Sequence, residues 1–342
     1  MTSKLSQKYF YRCFSESSAG GLKCGLDYAG PPLSKSHLLS DFEQHQISDP
    51  EIRTALVSVT DRPIEVLHRA FVKYYNLNER ADDIWIVIVS VPVEENGTLP
   101  CHRAEELALE LGYSPGERRK FMHEYIFEWE IKDQYVEHTV SVETLLDRGL
   151  DLDSCLQNDL LPNLRGFRGL MMDMILDHPL GGYSAGSKLG QMARCFGARA
   201  PVKEIANSLL TDCPSHISAN EEMQTVNWTI TEVCENGEHR IVSTSYIDVE
   251  QFYWISQGIN ETLFDFWLGD GVFIEERIEH AEMANNLTAE MEILWELYGD
   301  NLHFEVWNGV NSNTATDEAR KLRSREQEIR DLIERDAVSI GL

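Results

Sequence analysis

Apolar and polar residues alternate most clearly between His123 and Val142. Tyr125, Phe127, Trp129 and Ile131 fall on one side of a predicted half-buried strand, after which the chain turns into a second strand over Val136–Val142. Glu124 opens the first strand one residue ahead of the alternation, which places its carboxylate at the rim of a sheet. Upstream, Tyr9, Phe10, Tyr11 and Phe14 form a short aromatic strand ending in a Ser- and Gly-rich turn. Residues 27–50, rich in Pro, Ser, His and Gly, read as a long loop with short helical turns. Ala55–Thr60 is a strand with Ser58 and Thr60 on one face. Asp61 reads as the cap of a helix from Pro63 to Tyr75, whose core stripe is Ile64, Leu67, Phe71 and Tyr74. The unbroken run Ile84–Val91 predicts a central strand buried on both faces. Cys101–Leu111 reads as a helix closed by Gly112, and Gly112–Gly116 as the turn that delivers the chain toward Glu124.

The pattern changes near residues 150–163, around Leu150-Asp-Leu-Asp-Ser and Pro162, separating a domain over 1–152 from another over 160–342. Helices are predicted over 164–176, Ser184–Phe196 and Pro201–Leu210. Gly181–Lys188 lacks the spacing of a phosphate-binding loop, so Gly181 and Gly182 read as helix-capping glycines. Val226–Val233 and Arg240–Ile247 alternate as a hairpin across Asn236-Gly237. Val249–Leu268, Val272–Tyr298 and Thr316–Ala337 read as helices, with Trp254, Trp267, Trp295 and Trp307 as core anchors. The expected class is α+β, followed by a mainly helical domain containing a β-hairpin.

Charge narrows the choice of partners. The chain has 342 residues and a net charge of -27. Residues 1–150 hold 16 Lys and Arg against 24 Asp and Glu, a net of -8; the remainder holds 14 against 33, a net of -19. Such acidity argues against free binding to nucleic acid or an anionic membrane without a local basic groove, for which Arg118, Arg119 and Lys120 are the candidate cluster. Seven cysteines in no zinc-like spacing suggest reduced thiols and no metal site. The N-terminus shows no apolar leader and no run reaches membrane-spanning length, so a cytoplasmic protein is expected.

Two residues break the local pattern. Arg12 lies inside an apolar strand, where a charge must be paired or face a ligand. Glu124 by itself is compatible with an ordinary solvated strand-end acid. Taken in order, Tyr11-Arg12, Val57-Ser58-Val59-Thr60 and Glu124-Tyr125-Ile126-Phe127-Glu128-Trp129-Glu130-Ile131 resemble the Arg-Ser-Glu class of ADP-ribosyltransferases, the pertussis- and cholera-toxin-like fold. The resemblance covers roughly residues 8–150 and is shared by an uncharacterised domain of filamentous-fungal proteins. Val242-Ser243-Thr244-Ser245 spells the family's Ser motif more closely, but no strand opened by Glu follows it.

The resemblance implies split β-sheets with helices, and NAD bound in the cleft between the sheets without a Gly-rich dinucleotide loop. Arg12 would hold the NAD phosphates or ribose, and Ser58 with Thr60 would brace Glu124 and the nicotinamide pocket. Tyr11 would serve as a wall. Glu124 would bond the nicotinamide-ribose hydroxyl and stabilise an oxocarbenium-like sugar. The acceptor would meet the loop carrying Tyr113, Arg118 and Met122. Met122 stands where the toxins carry Glu or Gln, and Lys132 where they have Pro; the first change makes arginine-directed transfer doubtful. His123 is either a base or an ordinary loop residue. Two functions are therefore expected as alternatives. One is an NAD-dependent mono-ADP-ribosyltransferase or NAD glycohydrolase. The other is a catalytically silent protein of the same fold, acting as a module that binds protein partners.

Overall fold

The computed structural model describes residues 7–18, 20–26, 30–47, 53–93, 99–150, 152, 160–176, 181–197, 199–213, 216–220, 225–233, 239–248, 251 and 254–263, with single helical positions at 324 and 331. The chain forms two compact units. The first is Met1–Met172 with Asn207–His216 and Thr229–Ser243; the second is Asp173–Ala206 with Ile217–Trp228 and Thr244–Leu342. The first unit takes in the whole of the expected 1–152 domain and extends beyond it.

Six strands of the first unit form one antiparallel sheet: β1 (Gln7–Phe14), β2 (Leu56–Thr60), β3 (Trp85–Pro92), β4 (His102–Arg103), β5 (Glu124–Glu128) and β6 (Val136–Ser141), in the spatial order β4-β5-β2-β1-β3-β6. Between and after them come α1 (Lys35–His45), α2 (Pro63–Phe71), α3 (Ala104–Glu110), α4 (Pro115–Arg118), α5 (Val142–Asp147) and α6 (Leu164–Leu176). Later elements are α7 (Gly181–Arg194), α8 (Val202–Asp212) and a three-stranded sheet of β7 (His216–Asn220), β8 (Thr225–Val233) and β9 (His239–Asp248) in that order. The expected α+β class holds.

The two halves of the six-stranded sheet are barely joined. β1 pairs with β3 along its whole length, from Gln7↔Pro92 to Phe14↔Trp85. β2 pairs with β5 from Leu56↔Glu128 to Thr60↔Glu124. Between β1 and β2 the register holds the single pair Tyr11↔Thr60. Period-2 alternation sends Phe10, Val57, Val59, Val87, Val89, Tyr125 and Phe127 to one core. On the opposite face Leu56 and Ile126 pack with Leu38 and Phe42 of α1 and Leu107 of α3. Burying each such side chain contributes about 1.5–3 kcal/mol.

Four local expectations are corrected. Residues 35–45 form a helix rather than loop turns. Ser34 caps it by accepting from the His37 N–H, but Leu38 and Phe42 are its only buried residues, so its apolar signal is sparse. The helix read from Cys101 begins at Ala104, because His102 and Arg103 pair with Ile126 and Tyr125. The strand opened by Glu124 stops at Glu128, since Trp129 adopts φ +65. Asp61 does not cap α2: Arg62 is the cap residue and makes no side-chain cap bond. Instead the Ile64 N–H donates to Asp212 Oδ2 at 2.8 Å, so a carboxylate at the end of α8 closes the N-terminus of α2. Arg62 and Arg168 flank that same carboxylate, Arg168 Nη2 at 3.0 Å.

In the second unit, Gly181 and Gly182 do not precede a helix as caps but lie within α7, and Gly182, Gly186 and Gly190 face helix 254–263. A Cβ at Gly190 would stand 2.8 Å from Thr262 Cβ, and one at Gly186 would meet the Ile255 backbone. The Thr262 hydroxyl donates to Ser187 Oγ at 2.9 Å across this contact. The hairpin turn 234–238, Trp267, Trp295, Trp307, and the helices expected over 272–298 and 316–337 lie outside the described residues, apart from positions 324 and 331.

Candidate functional site

The register assembles the site. Thr60 lies opposite Glu124 on β5 and opposite Tyr11 on β1, so these three residues form one row across three strands. Ser58 lies opposite Ile126, which makes Ser58 and Glu124 diagonal neighbours on one face, a relation that separates backbones by about 7–8 Å. A cavity opens where β1 and β2 part. Arg12, Ser58, Thr60 and Glu124 line it, with Tyr11 as a buried wall. His123 and Lys120 join from the segment before β5, and Glu65 and Arg69 from α2. The cavity volume is about 60 Å³.

Arg12 wedges the split. Its Nε donates to the Gly21 carbonyl at 2.8 Å, one Nη to Ser58 O at 2.6 Å and the other to Gly20 O at 2.9 Å. Ser58 O is a strand carbonyl that a fuller β1–β2 ladder would satisfy; the guanidinium takes that role. Five N–H groups less three leaves one on each Nη for a ligand. Burial lowers the Arg12 pKa from 12.5 to about 10, so it stays cationic at neutral pH.

Glu124 is the reverse case. Its carboxylate accepts no hydrogen bond from a described residue. Burial pushes its pKa above the ordinary 4.5, and Glu65 adds to this, while Arg69, Arg12 and Lys120 pull it back. Ser58 and Thr60 do not brace it as expected. The Ser58 hydroxyl bonds no described residue, and Thr60 Oγ1 accepts the Arg62 N–H at 3.2 Å at the entry to α2. Around Glu124 stand three cations, Arg12, Arg69 and Lys120, with Arg69 paired to Glu65 at 2.6 Å. The local balance is thus opposite in sign to that of the acidic chain.

His123 also has a fixed partner. Its Nδ1 lies 2.9 Å from Asp61 Oδ1, and its carbonyl accepts the Asp61 N–H at 3.2 Å. Lys8 stands 3.7 Å from the other Asp61 oxygen and donates to the Tyr125 hydroxyl at 2.5 Å. The other expected acceptor residues lie off the cavity. Tyr113 packs beside Phe121, Arg118 reaches toward Glu105 at 4.0 Å, and Met122 is exposed. Sequence reasoning missed Arg69, Glu65 and the Asp61 partnership. The i, i+4 pair Glu65/Arg69 on the outer face of a predicted helix was the available signal for the first two.

Among the described residues no cluster of three metal-binding side chains occurs, and no helix is long and apolar enough to cross a membrane. Cys13, Cys24, Cys101, Cys195 and Cys213 carry free thiols. Neither the curated proteins nor the solved structures contain a match to this chain. Residues 5–145, which carry the whole cavity, match a family described as Domain of unknown function (DUF7587).

Proposed function

We propose that the first unit cleaves NAD at the nicotinamide N-glycosidic bond, as a mono-ADP-ribosyltransferase or an NAD glycohydrolase of the ADP-ribosyltransferase-like fold. One observation carries the reading: Glu124 is a half-buried carboxylate with no hydrogen-bond partner among the described residues, in the same cavity as Arg12 and Ser58. An acid held this far out of water for structural reasons alone would be paired. A fixed carboxylate beside a ribose stabilises positive charge developing at C1′, a contribution of about 2.7–4 kcal/mol to the rate. The cavity is too small for a whole dinucleotide. The reacting ribose would therefore occupy it, and the phosphates would lie in the mouth against Arg69, Lys120 and the two remaining Arg12 N–H groups. The near-split between β1 and β2 supports the family resemblance.

A second reading, a silent protein-binding module, draws on one fact: Arg12 spends three donors on backbone carbonyls, as a structural residue would. Calorimetric titration with NAD, combined with chromatography for released nicotinamide, separates the two. The enzyme reading expects saturable binding and release. Absence of both leaves the binding module.

A further inference from the structure

We infer that His123, oriented by Asp61, is the base that deprotonates the incoming nucleophile, and that this nucleophile is water or a hydroxyl group; the inference rests on the NAD-cleaving reading above. Three observations converge. His123 lines the cavity beside Glu124. Its Nδ1 meets the Asp61 carboxylate at 2.9 Å, which makes Nδ1 the protonated nitrogen and leaves Nε2 as the acceptor. The Asp61 N–H to His123 carbonyl bond, 3.2 Å, ties the two backbones together, so the pair is held at both ends. Lys8 Nζ stands 3.7 Å from the other Asp61 oxygen.

Met122, the side chain just before this pair, is exposed and offers no carboxylate for an arginine acceptor. An imidazole suits a neutral O–H instead. In the step, the oxygen of water or an alcohol bonds to C1′ of the nicotinamide ribose. The C1′–N1 bond breaks, and its electrons leave with neutral nicotinamide. The O–H proton passes to His123 Nε2, forming an imidazolium that faces Asp61 and later loses the proton to solvent. Glu124 stabilises the sugar cation and takes no proton. Asp61 is a positioning residue: it holds the ring and does not touch the substrate.

The test uses the full chain and the variants H123Q, D61N and E124Q, each checked for folding by circular dichroism. Nicotinamide release from NAD is measured with and without azide, an anionic nucleophile that needs no base. H123Q should lose about a hundredfold in water, in line with general-base catalysis. Azide should restore release to H123Q and yield ADP-ribosyl azide by mass spectrometry, and it should leave E124Q inactive. D61N should lower kcat with KM unchanged and respond to azide like H123Q. Folded H123Q that matches the wild type in water, or that azide fails to rescue, overturns the base role while leaving Glu124 and the NAD reading in place. A wild type that releases no nicotinamide under either condition removes the NAD reading, and the base role falls with it.

Discussion

Replacing Arg12 should unzip the centre of the first unit. β1 and β2 share one register pair, so the guanidinium adds a bond to Ser58 O across the split while it holds Gly20 and Gly21 of the turn after β1. A hydrogen bond to a charged group contributes about 1.5–3 kcal/mol, and three sum to about 4.5–9 kcal/mol. Removing the buried cation also removes its desolvation penalty, and coupled bonds do not add, so about 3–5 kcal/mol is the expected loss for Arg12→Ala. Arg12→Lys keeps the charge, but its single ammonium cannot span three carbonyls, so it should recover only part of that loss. The assay is native-state hydrogen exchange on peptides covering β1 and β2. Their protection should fall roughly 150- to 4,000-fold in Arg12→Ala, the equivalent of 3–5 kcal/mol at about 1.4 kcal/mol per decade. Protection within about threefold of wild type would refute the wedge and return Arg12 to a purely ligand-facing role.

Three further outcomes follow from the same geometry. Asp212→Ala leaves Arg62 and Arg168 facing each other and the Ile64 N–H uncapped, and should cost about 3–5 kcal/mol in urea unfolding of the first unit. Gly186→Leu drives a side chain into the Ile255 backbone, and should cost about 1–3 kcal/mol or more, read as a lowered Tm of the second unit. Glu124→Gln should raise Tm at neutral pH, because burial lifts the folded pKa of Glu124 above its unfolded value. A carboxyl raised in this way favours folding while protonated and loses that contribution as pH climbs through its folded pKa. The advantage of the Gln variant should therefore vanish in scans below the ordinary value of 4.5 and grow above it.

Strands and the main helix were legible because their periods are. Alternation located β2 and β5, an unbroken apolar run located β3, and a 3.6-residue stripe located α2. Arg12 announced itself as a charge inside an apolar run. What escaped depends on contacts distant in the chain. Asp61 looks like a helix cap in isolation, and its partner His123 lies 62 residues away, reachable only once the β2–β5 register is known. The true closure of α2 comes from Asp212, 148 residues beyond Ile64. Helix α1 was hidden because only Leu38 and Phe42 are buried in it. The four-residue spacing of Gly182, Gly186 and Gly190 was visible in the letters, but only a facing helix tells a packing stripe from a cap.

The most direct measurement is the ratio of nicotinamide release by the wild type to release by Glu124→Gln, with both proteins folded and saturated with NAD. Loss of one such electrostatic group predicts a ratio on the order of 10² to 10³. Equal rates, or no release by the wild type at saturating NAD, would contradict the account.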